Sequence, residues 1–103
     1  MRRSIQLWAI GKGGERPCLV ISDNRFNHSR ANLVVVVPIT RTDRGHPSHV
    51  RIDPPEGGLN SVSFVQCESV RSVSKQRLGS RWGRVSSASL AAVEDRLRLL
   101  LKL

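Results

Sequence analysis

Two positions in this 103-residue chain join a charged or hydroxylated side chain to a backbone that fixes its direction. Arg16 precedes Pro17, whose ring locks its own φ and biases Arg16 toward an extended conformation, so a guanidinium is held at a strand entrance. Thr40 closes the β-branched run that begins at Leu33, and Arg41 follows it, so a hydroxyl and a guanidinium emerge where the chain leaves the core. Both residue types serve catalysis at charged groups, and both are ordinary on the polar rim of a strand. Gly11-Lys12-Gly13-Gly14 holds the Gly-Lys pair of a phosphate loop without its spaced first glycine or its Ser/Thr, so it reads as a flexible basic hairpin able to cover a bound strand. His46 and His49 stand three apart across Pro47, which is not helical spacing, and no cysteine or carboxylate completes a ligand set. No metal site is expected. One histidine stays open as a general acid or base.

The charge narrows the partner class. Seventeen Lys and Arg oppose eight Asp and Glu for a net +9, and fourteen of the seventeen are arginine. Arginine forks pair with phosphate and stack on bases, so the balance suggests a polyanion, nucleic acid foremost, against the alternative of a solvated basic surface. Composition is that of a soluble globule, 39% hydrophobic and 24% charged, and the length suits one domain spanning 1–103. The longest apolar run, Leu33 to Ile39, is far short of the roughly 20 residues that cross a bilayer, and no secretory signal opens the chain. A cytoplasmic protein with no membrane contact is expected. Cys18 and Cys67 lack paired spacing and read as two buried thiols.

Those side chains need a scaffold. Ile5–Ile10, Pro17–Ser22, Leu33–Thr40, His49–Asp53, Val62–Glu68, Val70–Val73 and Trp82–Val85 read as strands divided by turn chemistry, including 23–32 and the Asp43–Pro47 turn. Leu33–Thr40 is β-branched almost throughout, as expected of a strand buried on both faces. Trp8, Trp82, Phe26 and Phe64 are too scattered to form a stacking platform and read as core. From Ser86, a helix N-cap, the period changes: Leu90, Val93, Leu97, Leu100 and Leu101 fall on one helical face. The pattern is mainly β (α+β), a small barrel or sandwich with a C-terminal helix that must cover something.

Taken in order, the segments Gly14-Glu15-Arg16-Pro17-Cys18-Leu19-Val20-Ile21-Ser22, Phe26-Asn27 and Val36-Val37-Pro38-Ile39-Thr40 resemble the MazF/PemK/Kid toxins of toxin–antitoxin modules. The likeness continues through Gly45-His46-Pro47-Ser48-His49-Val50, Glu68-Ser69-Val70-Arg71-Ser72-Val73, Lys75-Gln76-Arg77-Leu78 and Gly83-Arg84-Val85-Ser86. The resemblance implies an SH3-like barrel of the CcdB/MazF kind, usually a homodimer, acting as a sequence-specific endoribonuclease on single-stranded RNA. It implies messenger RNA as substrate, with transfer and ribosomal RNA as further candidates, an acidic antitoxin over the RNA site, and neither metal nor cofactor. The 2′-OH attacks the adjacent phosphorus to give a 2′,3′-cyclic phosphate and a 5′-OH. Position by position, it puts the catalytic arginine at Arg16 and the catalytic threonine at Thr40, with substrate contacts at Lys12, Arg41, His49, Glu68, Ser69 and Arg71. Glu68 and His49 are the candidates for general base.

Two other functions fit the same scaffold. One is a non-enzymatic DNA gyrase inhibitor of the CcdB type, although the tail from Arg96 to Leu103 lacks a Trp-Gly-Ile type ending. The other is an RNA-binding module whose cleavage has decayed, which predicts salt-dependent binding without product.

Overall fold

The computed structural model describes residues 5–11 and 16–103, and everything below concerns those residues. The architecture is organised around β3 (Leu33–Thr40), whose side chains are shared between two apolar clusters. Val34 and Val36 face one cluster, with Ile10, Cys18, Val20 and Val73. Val37 and Ile39 face the other, with Leu7, Leu19, Ile52, Val65 and Val93. Burial on both sides explains why this strand carries no polar alternation.

The strands around β3 are all antiparallel to their neighbours. β1 (Gln6–Ile10) and β2 (Arg16–Val20) pair from Gln6–Val20 to Ile10–Arg16. β2 pairs with β3 as far as Cys18–Pro38. β4 (His49–Ile52) and β5 (Ser63–Gln66) pair with each other, and β5 meets the end of β3 at Ile39–Val65 and Thr40–Phe64. β6 (Arg71–Ser74) lies against the first half of β3, and β7 (Leu78–Arg84) returns to β1. The spatial order is β4-β5-β3-β2-β1-β7, with β6 also on β3. The expected mainly-β chain with a C-terminal helix is therefore what the structure shows.

Every strand but β3 differs from the sequence reading in its bounds, and two of the shifts bear on the site. β2 starts at Arg16, so the arginine belongs to the strand. β7 starts at Leu78 rather than Trp82, because Gly79 and Ser80, poor strand formers, are carried by pairing to β1 across two register shifts. The 23–32 turn also holds a one-turn helix, α1 (Asn24–Asn27), capped by Asp23 accepting from the Arg25 amide.

A break in the β2–β3 ladder creates the space used below. Ile21 N–H donates to the Val35 carbonyl, so alternation makes Leu19–Val37 and then Pro17–Ile39 the next hydrogen-bonded rungs. Pro17 has no N–H to give. The ladder stops, β3 passes to β5, and the strand ends part.

Helix α2 (Ser87–Leu101) is capped by Ser86, whose hydroxyl accepts from the Ser89 amide at 3.1 Å. Val93 is buried, and Leu90 and Leu97 pack against the larger cluster. The stripe is not covered along its whole length: Leu100 and Leu101 are 44% and 55% exposed in the single chain. Glu56 ties the helix start to the strand connection before β5, accepting from the Ser86 amide at 2.9 Å. Burial pushes its carboxyl up, but hydrogen bonds from Ser89 and Ser86 outweigh this and leave it below its ordinary 4.5. A carboxyl lowered in the folded state contributes stability that is complete above the unfolded value and is lost as pH falls through the folded one. The melting temperature of Glu56→Gln is accordingly expected to lie below that of the parent at neutral pH and to meet it in acid, as thermal melts across pH 2–7 would show.

Candidate active site

Side-chain alternation puts the two candidate catalytic residues on one face. Arg16 shares a side of β2 with Cys18 and Val20, and Thr40 shares a side of β3 with Pro38 and Val36. Cys18 stands opposite Pro38 and Arg71 opposite Val36, so Arg16, Thr40 and Arg71 all project from this face. They meet at the parted strand ends, around a cleft of about 580 Å³.

The lining explains what the cleft can hold. Arg16, Arg41, Arg44 and Arg71 supply four guanidiniums, and no acidic side chain among the described residues joins them. Asn60, Ser61 and Gln66 add hydrogen-bonding groups, while Pro17, Pro38, Leu59 and Trp82 give apolar walls. The Thr40 hydroxyl accepts from the Thr42 amide at 3.1 Å, which fixes its oxygen and leaves its own hydrogen free to donate outward. An anion entering here meets fixed charged donors on apolar walls, the arrangement that stabilises charge building on a phosphoryl group. Burial pushes the nearby Cys18 thiol up to about 11, which leaves it unreactive despite the opposing hydrogen bond at Trp8 and the Arg71 charge. Cys67 is likewise free and buried, as the sequence suggested.

His49, Glu68 and Ser69 form a neighbouring group rather than part of the cleft wall. His49 pairs across β4–β5 with Gln66, which does line the cleft. Its Nε2–H donates to Glu68 Oε2 at 2.9 Å, and the imidazole is only 4% exposed. Burial raises the Glu68 carboxyl, yet the hydrogen bond from His49 and a backbone amide outweigh it and hold Glu68 below its ordinary value. Glu68 is thus an ionised acceptor. His46 stacks on His49 with ring centroids 5.0 Å apart. Glu68 and Ser69 sit in the short 3₁₀ turn Cys67–Ser69 joining β5 to β6. Lys12 lies outside the described residues.

The profile of the family described as PemK-like, MazF-like toxin of type II toxin-antitoxin system matches residues 6–101. The chain belongs to that family. The toxin is 32% identical to endoribonuclease MazF9 of Mycobacterium tuberculosis, an alignment covering 100% of this chain and 98% of that protein. It is 30% identical to endoribonuclease EndoA of Bacillus subtilis, over 89% of this chain and 80% of that protein. Among solved structures, a chain of the MazE-MazF crystal structure from Deinococcus radiodurans superposes with a TM-score of 0.82 at 27% identity, covering 95% of the toxin and 92% of that chain. The CcdB/MazF-like fold follows from these likenesses.

Sequence reasoning did not single out Arg44, Asn60, Ser61, Gln66 or Trp82 in the toxin's cleft. Arg44 lies in a segment that reads only as a turn; its signal is a second arginine four residues past Thr40, close behind Arg41. Trp82 was assigned to the core, and it does pack there while also presenting a surface to the cleft. Asn60 and Ser61 carry no sequence signal, because only the strand crossing brings them to Thr40.

Proposed function

We propose that this toxin is an endoribonuclease that cuts single-stranded RNA at a phosphodiester held between Arg16 and Thr40. The observation that carries the reading is their convergence on one cleft with three further arginines. In the reaction the ribose 2′-oxygen forms a bond to phosphorus, the bond to the 5′-oxygen breaks, and a 2′,3′-cyclic phosphate and a 5′-OH result. Negative charge gathers on the non-bridging oxygens, where the Arg16 fork and the Thr40 hydroxyl donate. Arg16 is also placed to give a proton to the departing oxygen. The 2′-OH proton needs an acceptor. His49 is sealed, with one nitrogen on Glu68 and the other buried, so Glu68 is the better placed of the two.

Arg41, Arg44 and Arg71 neutralise flanking phosphates, while Asn60, Ser61 and Gln66 supply donors and acceptors suited to base edges, the means of sequence selection. The +9 charge suits an acidic antitoxin segment that lies along the cleft and blocks it. The solved MazE-MazF structures are consistent with such a partner. We assign the active form to a cytoplasmic homodimer, with the exposed leucines of the last helical turn available for contact.

The expected result is chelator-resistant cleavage of a long RNA, with 2′,3′-cyclic phosphate at the new ends. A single 2′-deoxy substitution 5′ to the scissile phosphate abolishes the cut, since it removes the nucleophile. Cleavage that survives the substitution would contradict the mechanism, and binding without product would favour the decayed RNA-binding module.

A further inference from the structure

His49 Nδ1 is buried and has no hydrogen-bond partner, the one such side-chain atom found among the described residues. A histidine kept only for packing ordinarily satisfies both nitrogens, because a bare polar atom in the interior is destabilising. The position therefore answers to what Nε2 does. Nε2 points at Glu68, and the stacked ring of His46 brings a third ligating atom, so that the donor atoms of His46, His49 and Glu68 lie within 4.8 Å of one another. The sequence hid this grouping. His46 and His49 are near neighbours, but the carboxylate arrives nineteen residues later through the turn between β5 and β6.

We infer that His46, His49 and Glu68 form a reversible binding site for a divalent transition-metal ion of the zinc type, and that its occupancy inhibits RNA cleavage. Two imidazoles and a carboxylate suit zinc or cobalt and not magnesium, which demands an oxygen shell. Tetrahedral ligation at about 2.1 Å sets donor atoms about 3.4 Å apart. The His49–Glu68 pair, now at 2.9 Å, needs only to open slightly, and the exposed His46 ring has to turn out of its stack on His49 to bring its nitrogen inward. Three protein ligands leave the fourth position for water.

The same geometry limits the affinity. Once Nε2 holds metal, the ring proton of His49 moves to Nδ1, where no acceptor awaits it. His46 Nδ1 accepts from the Ser48 amide at 3.1 Å, a bond that ligation would disturb. A site without outer hydrogen bonds to its histidines binds more weakly than a structural zinc centre, so a dissociation constant on the order of micromolar is expected. Inhibition rests on the proposed ribonuclease function, since the metal occupies the carboxylate assigned to the 2′-OH proton; binding does not rest on it.

The test titrates zinc into the full-length, metal-stripped protein by calorimetry and cobalt by visible absorption, in parallel with His46→Asn. One zinc per chain is expected, with a cobalt spectrum lacking thiolate charge-transfer bands, and at least about tenfold weaker binding by His46→Asn with unchanged circular dichroism. Zinc is expected to stop cleavage by the parent, magnesium is not, and His46→Asn is expected to cleave normally and to resist zinc. No saturable binding, equal binding by His46→Asn, or thiolate bands would overturn the site. Binding as described with cleavage untouched by zinc would overturn the inhibition. If neither protein cleaves RNA, the fault lies with the proposed function, while calorimetry still decides the site.

Discussion

Replacing Arg16 with alanine is expected to lower the single-turnover rate of RNA cleavage by about a thousandfold while changing RNA affinity far less. The guanidinium is exposed at the first residue of β2, and no core contact depends on it, so the fold survives its loss. Its effect lies in the transition state. Removing one preorganised neutral donor from such a site costs about 10²–10³ in rate, and a charged bidentate donor stands at the upper end of that range. Thr40→Ala removes one hydroxyl donor and is expected to cost about a hundredfold. Arg16→Lys keeps the charge and loses the fork, and should fall between the parent and Arg16→Ala. Single-turnover assays with separate binding measurements check all three. An Arg16→Ala variant that lost affinity and rate equally at subsaturating RNA, with an unchanged rate at saturation, would make Arg16 a binding residue only.

The second large effect concerns the wall opposite these donors. Gly58 has φ of +79°, and a Cβ there would stand 2.5 Å from the Trp82 carbonyl oxygen. The contact is reciprocal, since a Cβ on Gly83 would lie 2.7 Å from the Gly57 carbonyl carbon. A glycine turn is thus pressed flat against a glycine of β7, backbone on backbone. Gly58→Ala is expected to destabilise the protein by about 3 kcal/mol or more, combining a left-handed conformation with an unrelievable overlap. Against the marginal stability of a domain this size, that is a large share. Gly45 provides the control, because its φ is +62° but nothing lies within 4 Å of its Cβ position. Gly45→Ala should cost only the backbone strain, about 1–2 kcal/mol. Leu59, Asn60, Ser61 and Trp82 line the cleft beside this turn, so residual folded Gly58→Ala should cleave poorly as well. Urea unfolding of both variants gives the comparison, and equal losses would refute the packing argument.

What could be read from the sequence follows the range of the interactions involved. Runs of local period were readable: β3 from its β-branched residues, α2 from its spacing and its Ser86 cap, the buried thiols from their apolar surroundings. Arg16 and Thr40 stood out because each combined a chemical group with a strand end, and the family likeness named them. Their meeting was beyond local reading, since it depends on Pro17 ending one ladder so that β3 can pass to β5. The same limit hid Asn60 and Ser61, and hid Glu68 as the partner of His49. The start of β7 was missed for a different reason: tertiary pairing to β1 overrides the weak strand preference of Gly79 and Ser80.

The direct test of the shared-phosphodiester claim is a double-mutant cycle on Arg16→Ala and Thr40→Ala, read as single-turnover rates on one RNA of fixed sequence. Groups that stabilise one transition state lose little more together than the worse of them loses alone, so the double variant should cleave within about tenfold of Arg16→Ala. A double variant slowed by the full product of the two single losses would mean that the two side chains act independently, and would contradict their joint action on one phosphate.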